Sequence, residues 1–169
     1  MKLQSHGIET DLPPGWEGRI AVRTPPDPAA ALREGGGSRV TSRGHLDEAI
    51  FPVVHLGNFP LPDDRGDFGS GAVDVMADQD VLIVLAEYGP ECANTALFSR
   101  QGMPTKLTPN MFSSAALQRT LPGQAGCQLW FTDAGRAFCL YVVLGRQSNA
   151  ARVLPSATKT LSATRIRPR

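Results

Sequence analysis

Ala125-Gly126-Cys127-Gln128-Leu129-Trp130-Phe131-Thr132-Asp133-Ala134-Gly135-Arg136-Ala137-Phe138-Cys139-Leu140-Tyr141-Val142-Val143-Leu144-Gly145 is the stretch that decides the fold class. Two runs rich in aromatic and branched residues flank Asp133-Ala134-Gly135, which is the pattern of a β-hairpin. Upstream, Asp80-Val81-Leu82-Ile83-Val84-Leu85-Ala86-Glu87-Tyr88 is a continuous apolar run of strand length. Such a run expects burial on both faces and a central place in a sheet. Downstream, residues 149–162 read as a helix, with Ala151, Val153, Leu154, Ala157, Thr158 and Leu161 available to one side. Pro155 fits best in a first helical turn, which places the helix start near Leu154. Residues 162–166 read as a short last strand.

The N-terminal quarter carries weaker signals. Residues 2–11 alternate loosely and end at Pro13-Pro14-Gly15, and residues 16–23 alternate with period two. The expectation is a hairpin joining these two strands. Residues 24–48 carry three prolines and a Gly35-Gly36-Gly37 run, so a long loop is expected there. Residues 50–59 read as a strand. Residues 67–76 read as a short helix capped by Ser70 or Asp67, with Val73 and Met76 facing inward. Residues 89–121 are loop-rich, with a helical turn near 113–118.

Composition narrows the function classes. The chain has 169 residues, with 17 glycines, 14 prolines and 20% charged residues. Its length is that of a single domain able to bury a core without disulfides or metals. The net charge of +1 argues against a nucleic-acid or anionic-membrane binder. No signal-like segment opens the chain, and the longest apolar run is too short to span a bilayer, so a cytoplasmic protein without membrane insertion is expected. Cys92, Cys127 and Cys139 show no C-x-x-C spacing, which argues against a disulfide framework or a zinc site. Cys127 and Cys139 read as buried, inert thiols.

The order of elements, with Leu12-Pro13-Pro14-Gly15-Trp16 near the start and two apolar strands before a terminal helix, resembles the PsbP-like fold. The Ala, Gly, Pro and Arg usage is similar to that of high-GC actinobacterial proteins. The resemblance implies an α+β domain over residues 1–169: a twisted antiparallel sheet with helices packed on its faces. It also implies a non-enzymatic role. Members of the fold include photosystem extrinsic subunits, a Ran-binding import factor, mycobacterial lipoproteins and Eag chaperones of type VI secretion effectors. The resemblance selects no ligand, because one fold hosts many functions.

Motifs for chemistry are sparse. His45, Asp47 and Glu48, with His55 ten residues on from His45, are metal-capable types without a ligand spacing. His55 reads as a half-buried structural histidine. Gly69-Ser70-Gly71 is similar to a nucleophile turn, but Phe68 and Ala72 stand where the motif needs glycine. Asp63, Asp64, Arg65 and Asp67 read as a solvated turn, lacking the pattern of a calcium loop. Phosphate-cradling loops are absent from the sequence. No catalytic residue, metal or cofactor is assigned.

The residues marked for a partner are the loop apolars Phe98, Met103, Met111 and Phe112 and the tail arginines Arg165, Arg167 and Arg169. The loop apolars form either a satellite core or an adaptable docking surface. The tail offers positive charge to an acidic surface. The expectation is a protein-binding adaptor, chaperone or accessory subunit of a multisubunit assembly or oligomer. Two rivals stand beside it: a structural component of a phage-like or contractile injection particle, and a small hydrolase using Ser70 or a His55–carboxylate pair.

Overall fold

A computed structural model describes residues 1–23 and 51–169. The expected 24–48 loop, with His45, Asp47 and Glu48, lies outside the described residues. The described chain runs β1 (Lys2–Ser5), β2 (Ile8–Asp11), β3 (Glu17–Val22), β4 (Pro52–Gly57), α1 (Ser70–Val73), β5 (Val81–Tyr88), β6 (Ala125–Asp133), β7 (Arg136–Leu144), α2 (Ala150–Ser162) and β8 (Thr164–Ile166). The architecture is mixed α+β. Two antiparallel sheets form, ordered β1-β2-β8 and β3-β4-β5-β7-β6.

The β6–β7 hairpin turns at Ala134 (φ 52°) and Gly135 (φ 75°), and pairs Asp133 with Arg136. Positive φ at both central residues matches the twist of the flanking strands. β5 is the middle strand and is buried from Val81 to Glu87. The same alternation that defines a strand divides its side chains between two cores. On one face Val54, Leu56, Ile83, Leu85, Phe138 and Leu140 pack under α2 and under Ile8 of the small sheet. On the other, Val53, Leu82, Val84, Tyr141 and Val143 pack under Phe59, Leu61, Ala72 and Val73.

Three expectations need correction. The N-terminal hairpin forms within residues 2–11, because His6 (φ 50°) and Gly7 (φ 74°) make a two-residue turn that folds the segment on itself. β3, expected as its second strand, pairs with β4 in the larger sheet. α2 begins at Ala150, four residues before the expected start, and carries Pro155 inside it. Pro155 sits on the exposed side, while Ala150, Val153, Leu154, Ala157 and Leu161 are buried. Burial of that stripe outweighs the roughly 3 kcal/mol that an interior proline costs. Ala151 is exposed, and Thr160 takes a buried place instead, donating its hydroxyl to the Ser156 carbonyl. The 67–76 helix shrinks to Ser70–Val73, entered through Gly69 at φ 77° without a side-chain cap.

One irregularity of the ladder matters for the site. Pro52 stands opposite Glu87 in the β4–β5 register and has no N–H to give it. Arg23 reaches across from the end of β3, and its Nη2 donates to the Glu87 carbonyl at 3.1 Å. The Arg23 guanidinium lies 5.2 Å from the Tyr88 ring centroid and 5.8 Å from that of Phe68. It therefore seats the end of β3 against both β5 and the segment leading to α1.

Candidate functional site

β3 is the outer strand of the five-stranded sheet. The Arg23 N–H bonds to the Phe51 carbonyl, so Arg19 and Ala21 also direct their backbone groups at β4. Ile20 and Val22 therefore point their N–H and C=O groups away from the sheet, where no described residue bonds to them. Ala21 is exposed and Val22 is 42% exposed. This edge has the features of a template for an added strand.

A cavity of about 420 Å³ opens beside the end of that edge. Its walls are the last residues of β3, Val53 and His55 of β4, and the 63–67 loop that crosses in front of them. His55 is only 4% exposed, deeper than the half-burial expected, and both ring nitrogens are buried. Burial first, and the Arg65 guanidinium second, pull its pKa from 6.5 down to about 4, against the opposing pull of the Asp67 and Gly66 backbone. The ring is thus neutral at pH 7. Arg65 donates through Nη1 to the carbonyls of Pro62 and Asp63, while its Nε is buried without a partner. The loop that reads as a solvated turn in sequence is one wall of this cavity.

The sequence-marked partner residues are spread over several places. Phe98 and Phe112 are each 4% exposed, and Phe112 belongs to the main core beneath α2. Met103 and Met111 are half-buried and pack on that same core. The 97–117 segment thus turns these side chains inward, Phe112 and the two methionines onto the main core and Phe98 against the Tyr88 ring, and Leu97 is the one large apolar side chain there that stands exposed. A partner surface built on the Phe98 and Phe112 rings would require the loop to open. The tail arginines lie at the small sheet and the Glu87 end of β5. Arg165 caps the end of α2 by donating to the Ser162 carbonyl at 2.6 Å. Arg167 pairs with Glu9 at 2.8 Å, and Arg169 donates to both carboxylate oxygens of Glu87 at 3.2 and 3.1 Å. The Arg169 guanidinium also lies over the Phe51 ring.

Sequence reading missed the ion pair at the join of the two sheets. Glu87 is 2% exposed and Arg136 4% exposed. Arg136 donates to the Glu87 carboxylate at 2.9 and 2.7 Å, and to the carbonyls of His6 at 2.9 Å and Arg167 at 2.8 Å. One guanidinium thereby ties β5 and β7 to the β1–β2 turn and to the segment after β8. The signal was present as a glutamate closing an apolar strand and an arginine opening the strand that pairs with it, but only the register brings them together.

Among the described residues, Ser70 and His55 do not share a cavity. Ser70 is exposed at the start of α1 and does not line the His55 cavity. Among the described residues, no carboxylate hydrogen-bonds to His55. Among the described residues no group of three or more His, Cys, Asp or Glu is placed to hold a metal ion, and no helix is long and apolar enough to cross a membrane. Cys127 and Cys139 are buried, and desolvation raises the first thiol and pushes the second up to about 12. Compared with models of known protein families, with curated proteins and with solved structures, the chain matches none.

Proposed function

We propose that the chain is a non-enzymatic protein-binding adaptor or accessory subunit that takes an extended segment of its partner onto the β3 edge. The observation that carries this reading is the outward-facing backbone of Ile20 and Val22, unpaired among the described residues beside the exposed Ala21 and Val22 side chains. Main-chain hydrogen bonds to such an edge supply affinity, and alternate side chains of the added strand supply specificity. An antiparallel sheet with helices on both faces, as in the PsbP-like fold that the sequence resembles, supports a binding role over a catalytic one. Cytoplasmic placement and a multisubunit setting belong to the same proposal.

The test is stoichiometric capture of a partner from native lysate by the wild type and by Val22→Pro. The Val22 N–H faces outward, so proline there blocks strand addition and removes no β3–β4 hydrogen bond. Loss of the partner from a Val22→Pro chain with native amide-exchange protection in β4 and β5 supports the proposal. Equal capture by both chains, or no partner at all, overturns it.

A further inference from the structure

We propose that the outer face formed by α2 and the 100–111 segment is a docking surface for an acidic polypeptide segment of a partner protein. The surface stands apart from the β3 edge, and the proposal does not need strand addition there.

Charge is sorted along the chain. Residues 51–99 hold eight acidic side chains and one cation, Arg65. Residues 100–169 hold ten cationic side chains and one acid, Asp133. Folding pairs part of this surplus. Arg119 meets Asp74, Arg146 meets Asp78, Arg136 and Arg169 share Glu87, and Arg167 meets Glu9. Asp133 accepts from the Met103 N–H. Arg100, Lys106, Arg152 and Lys159 stand exposed, and none of them meets a carboxylate among the described residues.

The fold gathers these four cations over one core. Val153, Leu154 and Ala157 of α2 and Met103, Leu107 and Met111 pack on the same side of the large sheet, and residues 109–111 touch α2. Arg100 lies close enough to the Cys127 thiol of that core to act on its charge. Arg152 and Lys159, seven residues apart, project from the side of α2 opposite the core, roughly 10 Å apart along its axis. Helix stability does not account for Arg152. It sits in the first turn of α2, where the helix dipole favours a carboxylate, and that turn holds none. An anionic partner supplies the missing counter-charge.

The face selects a polypeptide over other polyanions. Its exposed neighbours on α2 are Ala151, Pro155 and Ser162, which offer no ring to stack on a base and no large apolar side chain to enter a bilayer. The net charge of +1 is also too small for a general nucleic-acid binder. Carboxylates two turns apart on a partner helix repeat at the spacing of Arg152 and Lys159. Sequence reading placed the positive surface on Arg165, Arg167 and Arg169, but the structure commits those side chains to the Ser162 carbonyl, Glu9 and Glu87.

The test titrates the protein with an alanine-based helical peptide that carries glutamates on one face, followed by amide NMR and by anisotropy of a labelled peptide. A short DNA duplex and vesicles of phosphatidylcholine and phosphatidylserine are run beside it. The expected result is saturable binding of the peptide, with shifts confined to α2 and the 100–111 segment. Arg152→Gln/Lys159→Gln is expected to weaken that binding about five- to tenfold. Arg19→Gln/Arg119→Gln removes the same net charge from elsewhere on the surface and is expected to leave it unchanged. All four positions are exposed, so both chains are expected to keep native stability. Saturable peptide binding that only the α2 variant weakens supports the proposal. Absence of saturable binding, equal weakening by both variants, tighter binding of the duplex or the vesicles, or peptide-free self-association that shifts the same amides overturns it.

Discussion

Replacing Arg136 with methionine tests how the two sheets are held together. The substitution keeps much of the apolar stem and removes the guanidinium. Glu87 then loses two charge-assisted bonds while staying buried, and the carbonyls of His6 and Arg167 lose their donor. Breaking a buried pair from one side costs about 3–5 kcal/mol, mostly from the charge left behind. Arg169 still reaches the carboxylate from its half-exposed position, which pulls the cost toward the lower end. The two orphaned carbonyls add about 1 kcal/mol each and return the total to about 3–5 kcal/mol. For a chain of this size that lowers Tm by roughly 6–20 °C. Urea unfolding at pH 7, followed by tryptophan fluorescence, measures the loss. Amide exchange at Glu9 and Arg165, which pair across β2 and β8, is expected to accelerate more than exchange within β5. Adding Glu87→Met removes the stranded charge, so the double variant is expected to be more stable than Arg136→Met alone by about 1–3 kcal/mol. A single-variant cost below about 1 kcal/mol, or a double variant no more stable than the single, refutes the reasoning.

Other consequences follow from burial and charge. His55 titrates near 4 when folded and 6.5 when unfolded, so the unfolded chain binds the extra proton in that window and stability falls as pH drops from 6.5 toward 4. The contribution is about 3 kcal/mol, and His55→Asn is expected to flatten the pH dependence of the urea midpoint between pH 6.5 and 5. Phe112→Ala is expected to cost about 3–5 kcal/mol in the same assay, while Leu97→Ala stays within about 0.5 kcal/mol, because only the first ring is core. Gly18→Ala places a Cβ within 3 Å of Leu12, Leu3 and Leu56 side-chain carbons, and is expected to cost about 1–3 kcal/mol in thermal unfolding.

Much of the strand content was legible because its cause is local. The 81–86 run is apolar at every position, as a strand buried on both faces requires, and β5 lies at the centre of its sheet. Asp133-Ala134-Gly135 between two apolar runs dictates the β6–β7 hairpin in the same way. What sequence alone left open was pairing over distance. Whether residues 17–22 join β2 or β4, whether the 97–117 apolars face solvent or core, and whether Pro155 starts α2 or sits inside it all depend on which surface each element meets. Burial against that surface outweighs local preferences of one to three kcal/mol. The Glu87–Arg136 clamp and the His55 cavity belong to this second class: each brings together residues from strands and loops far apart in the chain, so only the tertiary structure gives their partners, their burial and their chemistry.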